Sequence, residues 1–68
     1  MKRIDIYYAG QHYSVSGREY EELRQEILEG VTAGRAWLRV NIGEGQNVPC
    51  DLLISPGVPI SLVPIAAT

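Results

Sequence analysis

Residues 16–34, SGREYEELRQEILEGVTAG, have the pattern of an amphipathic helix, around which the rest of the domain can be placed. Apolar side chains recur there at spacings of three and four, and charged side chains fill the opposite face. Ser16 and Glu19 have the spacing of a capping box, so we expect the helix to cover residues 17–33. Gly34 then serves as its left-handed terminator.

The apolar positions of this helix form one continuous stripe, which we expect to pack on the rest of the domain. Gly30 lies inside the helix and costs about 1 kcal/mol relative to alanine unless a neighbour packs closely there. The predicted stripe consists of Tyr20, Leu23, Ile27, Leu28 and Val31.

Period-two alternation on both sides of the helix predicts strands. Residues 3–8 and 12–15 alternate ahead of it, and Gly10 between them can adopt the positive φ of a hairpin turn. Pro49 cannot donate to a ladder, so the start of its strand is expected at an edge of the sheet or outside the pairing. The strands after the helix are expected at residues 36–42, 48–54 and 59–65.

This element order, ββαβββ, predicts an α+β domain in two layers, with one helix on a four- to five-stranded sheet. The 68 residues are enough for one domain only, residues 1–68. At the level of element order the chain resembles a β-grasp, the ubiquitin-like arrangement, which implies one mixed sheet. The alternative is an antiparallel meander of the last three strands, with Ile54 opposite Ile60 across the Pro56-Gly57 turn.

Composition excludes several classes of protein. With 46% hydrophobic residues and a net charge of −2, the chain is not expected to be disordered. Its longest uncharged stretch, residues 52–68, is broken by three prolines and is not expected to cross a membrane. No apolar segment follows the basic start of the chain, so we expect a cytoplasmic protein. Cys50 is the single cysteine, so no disulfide within the chain is expected.

The sequence offers no evident catalytic constellation. His12 is the only histidine and lies at a predicted hairpin, where a solvated surface role is expected. Cys50 alone cannot build a cysteine-based metal site and is expected to be a small buried apolar side chain. We therefore predict that the domain is not an enzyme and has no catalytic residues, cofactor or metal.

The sheet face away from the helix is the predicted functional surface. One helix covers two or three strands of a five-stranded sheet, so apolar surface is left over. Arg3, His12, Asn41 and Asp51 are expected to share this face. A contiguous apolar patch there predicts an interface, in a homodimer or with another protein, or else pairing at an exposed edge strand. The interface candidates are Tyr7, Trp37, Arg39, Leu53, Val63 and Ile65.

The alternative prediction is weak binding of single-stranded nucleic acid on the same face. Aromatic rings interleaved with cations, here Tyr7 and Trp37 with Arg3 and Arg39, can stack bases. The net charge of −2 and the acidic helix lack the basic footprint that phosphate backbones require, so a protein partner is favoured.

Overall fold

The computed structural model describes residues 3–43 and 46–65, which form one α-helix and five β-strands. The helix packs on one face of the sheet, so the predicted two-layer α+β class and the order ββαβββ are confirmed. Each strand lies within one residue of its predicted bounds. The elements are β1 (Arg3–Tyr8), β2 (Gln11–Ser16), α1 (Tyr20–Thr32), β3 (Ala36–Asn41), β4 (Pro49–Ile54) and β5 (Ile60–Ile65).

The strands are arranged in the order β4-β3-β2-β1-β5, and every neighbouring pair is antiparallel. The mixed sheet implied by the β-grasp resemblance is therefore wrong, and so is the meander that pairs Ile54 with Ile60. Ile60 lies opposite Tyr8 instead. The Pro56-Gly57 segment carries the chain from β4 at one edge of the sheet to β5 at the other.

The Tyr8 hydroxyl joins β1 to the end of β4. It donates to the carbonyl of Leu53 at 3.2 Å and accepts from the backbone N–H of Ser55 at 3.1 Å. These backbone groups lie in and just after β4, so they are not available to a further strand at this edge. Because β1 and β4 are three strands apart in the sheet order, this contact also shows that the sheet coils strongly around its buried face.

The β1–β2 hairpin closes over two residues, one fewer than the predicted turn. Ala9 has φ 53° and Gly10 has φ 82°, as a two-residue hairpin turn of type I′ requires. Tyr8 lies opposite Gln11, and this register places Ile4, Ile6 and Tyr8 on the buried face as predicted.

The helix begins later than the capping box predicted. Ser16 remains in β2, opposite Arg3, and Gly17 then turns the chain with φ 73°. Glu19 occupies the N-cap position in an extended conformation, and its side chain makes no capping hydrogen bond to the helix. Pairing with β1 therefore holds Ser16 away from the cap role.

The helix ends as predicted, with Gly34 just beyond it at φ 115°. Gly30 was expected to have a closely packed neighbour, and the structure shows one. A Cβ at that position would lie 2.7 Å from the Cβ of Ala36 in β3. The glycine therefore permits a close approach of α1 to the sheet.

The core lies between α1 and the coiled sheet. Leu23 and Ile27 are buried from the helix side, and Tyr20 and Val31 pack against them at the margin. Leu28 is 58% exposed, so its predicted place on the packing stripe is wrong. It lies one position beyond Ile27, where the narrow contact between the helix and the sheet does not reach. The buried sheet residues are Ile4, Ile6, Tyr8, Val15, Leu38, Val40, Leu52 and Ile54.

Candidate interaction surface on the outer sheet face

The sheet face away from α1, called the outer face below, carries all six predicted interface candidates, but they do not form one patch. Trp37 and Leu53 lie directly opposite each other on β3 and β4. Val63 and Ile65 lie on β5, opposite Asp5 and Arg3. Because β2 and β1 intervene, about 14 Å of sheet separates the two apolar pairs. The predicted contiguous patch is therefore wrong.

The larger of the two apolar pairs is Trp37 with Leu53, called the Trp37 patch below. Trp37 is 69% exposed and Leu53 is 43% exposed. Directly opposed cross-strand side chains support each other, so the indole is held against a neighbour while most of its surface faces outward. The patch lies at the β4 edge of the sheet.

The next outward pair on the same two strands is charged. Arg39 and Asp51 lie opposite each other, and the guanidinium donates from Nε to Oδ1 at 3.0 Å and from Nη2 to Oδ2 at 3.3 Å. This two-point contact lowers the pKa of the Asp51 carboxyl and raises the pKa of Arg39. The Trp37 patch is thus bordered by an ion pair whose charges compensate each other.

A second cluster lies on β1 and β2. The Tyr7 ring stacks on His12 with centroids 4.9 Å apart. Arg3 Nε donates to Asp5 Oδ1 at 2.9 Å, and His12 Nε2 is 3.5 Å from the same oxygen. That nitrogen is buried and makes no hydrogen bond within the described chain. His12 is therefore half-buried by its neighbours rather than freely solvated.

Asn41 shares the outer face but turns to the loop that follows β3. Its amide donates from Nδ2 to the Gly43 carbonyl, and its Oδ1 accepts from the backbone N–H groups of Gly43 and Val48. The side chain therefore ties Gly43 to Val48. It is engaged within the domain rather than presented to a partner.

Both edges of the sheet carry features that oppose the addition of another strand. β4 begins with Pro49, as predicted for an edge strand, and Tyr8 occupies the Leu53 carbonyl and the Ser55 N–H. At the other edge, Pro59 precedes β5 and Pro64 lies within it. Because proline has no N–H to donate, these positions disfavour edge pairing.

A groove opens where β2 and β3 diverge. Their pairing is confined to Ser14 opposite Asn41, whereas β1 pairs with β2 over six positions. Three arginines from different segments line the groove: Arg3, Arg18 and Arg39. No local pattern in the sequence predicts this convergence, because it depends on the strand order and on where the chain leaves β2.

The structure offers no metal-binding cluster in residues 3–43 and 46–65. Cys50 is free and half-buried against the core. Within the same ranges, no helix has the length and apolar content needed to cross a membrane.

Comparison of the chain with models of protein families, with curated proteins and with solved structures gives no match. The Trp37 patch and the groove are therefore the features from which a function can be inferred.

Proposed function

We propose that this protein is a small interaction module that self-associates through the Trp37 patch. The observation that carries the proposal is the outward pairing of Trp37 with Leu53 at one end of the outer face, where no element of the described chain covers them. Tryptophan is enriched among the residues that dominate interface energies, because its large rigid surface is desolvated at a low entropic cost.

The arrangement suits contact between two identical copies. A two-fold contact brings the same patch of each copy together, so it requires a surface that is complementary to itself. The Trp37 patch supplies an apolar centre, and the Arg39–Asp51 pair supplies a polar rim. Because the rim charges compensate each other, two copies approach without strong like-charge repulsion.

Contact between outer faces fits the structure better than pairing between edges. Pro49 and the Tyr8 hydroxyl disfavour strand addition at β4, and Pro59 and Pro64 do so at β5. The second apolar pair, Val63 and Ile65, lies near the other edge and is outside the proposed contact. We therefore narrow the interface candidates to Trp37 and Leu53, with Arg39 at the rim.

The proposal includes a cytoplasmic location and the absence of catalytic activity. A single free cysteine, Cys50, is consistent with a reducing compartment. The outer face lacks a paired nucleophile and base among the described residues, which supports a binding role over a catalytic one.

Two equally exposed residues provide the test. Leu53 and Ile65 are both 43% exposed on the outer face, one in the Trp37 patch and the other on β5. We expect Leu53→Asp to convert a dimer into a monomer in sedimentation equilibrium. Ile65→Asp adds the same charge opposite Arg3 and should leave the dimer intact. Dissociation by Ile65→Asp alone would place the interface on β5 and contradict the proposal.

Weak binding of single-stranded nucleic acid is the second candidate. It is supported by Trp37 and Arg39, which share the outer face of β3. However, Tyr7 stacks on His12 two strands away, and aspartates engage both Arg3 and Arg39. Titration with a labelled oligonucleotide at low salt tests this candidate, because electrostatic binding is strongest there. Quenching of Trp37 fluorescence is the expected result, and unchanged fluorescence would contradict it.

A further inference from the structure

The groove between β2 and β3 has the composition of an anion-binding site. Three of the six basic residues of the chain, Arg3, Arg18 and Arg39, line it. They come from β1, from the segment between β2 and α1, and from β3. Among the described lining residues there is no carboxylate side chain. We propose that this groove binds a compact, multiply charged phosphate group, either free or at the end of a small molecule.

The arginines keep donors available although each has a carboxylate partner. Arg3 donates to Asp5 through Nε, and Arg18 donates to Glu26 through Nη2 at 2.7 Å. A guanidinium carries five N–H donors in a planar fork, so most of the donors of these two groups remain for a second acceptor. Phosphate oxygens match that fork in geometry.

The carboxylate partners do not prevent a ligand from binding. The side chain of Arg3 is 51% exposed and that of Arg18 is 34% exposed, so both pairs are in contact with water. Such ion pairs contribute little to stability, and their side chains can reorient at low cost. A multiply charged anion that contacts several guanidinium groups at once gains more than each weak pair loses.

Neutral donors complete the lining of the groove. Ser14 and Ser16 contribute hydroxyl groups from β2, and Gln46 and Asn47 contribute amides from the β3–β4 connection. Hydroxyl and amide groups commonly share phosphate oxygens with arginine. The divergence of β2 from β3 beyond Ser14 opens the space that these groups face.

The charge distribution favours a compact anion over a nucleic-acid chain. The α1 segment carries Glu19, Glu21, Glu22, Glu26 and Glu29, and the whole chain has a net charge of −2. A long polyanion would pass beyond the groove and meet this negative field, which extends about 8 Å into physiological salt. A single phosphate or diphosphate group stays within the groove and meets only the part of that field nearest Arg18, where the guanidinium already compensates Glu26.

The test is calorimetric titration of the full chain with inorganic pyrophosphate, and with ADP as a diphosphate carried by a small molecule. Sodium chloride at matched ionic strength controls for screening. Saturable binding of pyrophosphate or ADP, absent with chloride, is the expected result. Equal affinities would indicate that the diphosphate alone is recognised, and tighter binding of ADP would indicate a small-molecule ligand. No saturable binding of either would overturn the proposal.

Matched variants locate the site. Arg3→Gln and Arg18→Gln should each weaken pyrophosphate binding by roughly tenfold or more, since each removes charge-assisted hydrogen bonds. Arg24→Gln removes the same charge from the exposed surface of α1, outside the groove, and should change the affinity by less than about twofold. Circular dichroism confirms that each variant is folded.

Two results would contradict the proposal. Equal weakening by Arg24→Gln and Arg18→Gln would mean that net charge, rather than the groove, controls binding. Displacement of pyrophosphate by a short oligonucleotide of higher affinity would assign the groove to nucleic acid instead. The groove shares only Arg39 with the rim of the proposed dimer contact, and Arg3 and Arg18 lie outside that contact. Monomeric Leu53→Asp protein should therefore still bind pyrophosphate.

Discussion

The Tyr8 hydroxyl links two distant strands, because it bonds to the Leu53 carbonyl and the Ser55 N–H. We expect Tyr8→Phe to lower the free energy of unfolding by about 1–3 kcal/mol, since both backbone groups lose a partner in a part-buried site. Urea denaturation measures this. Tyr13→Phe is the control, because the Tyr13 hydroxyl makes no side-chain hydrogen bond within the described chain, and it should change stability by less than about 0.5 kcal/mol. Equal losses in both variants would contradict the bridging role.

The Arg39–Asp51 pair should make the stability of the fold depend on pH. The pKa of Asp51 lies below its ordinary value of 3.8 because Arg39 donates to the carboxylate. The pair therefore favours the folded state above that ordinary value, and this contribution disappears as the pH falls through the lowered pKa. An NMR titration should show the Asp51 midpoint moving upward in Arg39→Gln. An unchanged midpoint would mean that the pair does not persist in solution.

The close contact of α1 with β3 depends on Gly30. An alanine at an unconstrained helix position is usually more stable than glycine by about 1 kcal/mol. Here we expect Gly30→Ala to destabilise the fold by about 1–3 kcal/mol, because the added Cβ would lie 2.7 Å from the Cβ of Ala36. Thermal denaturation measures the loss. In an Ala36→Gly background the loss should shrink, and an undiminished loss would refute the steric explanation.

Of the two leucines of α1, one is buried in the core and the other is exposed. Leu23 is fully buried, so Leu23→Ala should cost about 2–5 kcal/mol in urea denaturation. Leu28 is 58% exposed, and Leu28→Ala should cost less than about 0.5 kcal/mol. Similar losses at both positions would contradict the packing of α1 described above.

Element type was predictable from the sequence because it depends on local patterns. Alternation identified the strands to within one residue, and Gly34 marked the end of the helix. The start of α1 was not predictable, because the pairing of Ser16 with Arg3 outweighs the capping-box signal. That pairing is a contact between strands, which local spacing does not encode.

The strand order determines which side chains lie close together on each face of the sheet. Alternation placed Trp37 and Ile65 on the same face, but their distance depends on which strands lie between them. That order includes a pairing between strands far apart in the sequence, β5 with β1, and the Tyr8 contact joins β1 to β4 within it. The same order brings Arg3 and Arg39 to one groove. The sequence therefore predicted the faces of the sheet but not the sites on them.

Collisional quenching of Trp37 by acrylamide, over a range of protein concentrations, tests self-association through the Trp37 patch. Trp37 is the only tryptophan, so the fluorescence reports on a single side chain. It is 69% exposed in one copy of the chain, and we expect its accessibility to fall as concentration rises and dimers form. Quenching that stays the same while the mass doubles would place the contact elsewhere. Quenching and mass that both stay constant would contradict self-association itself.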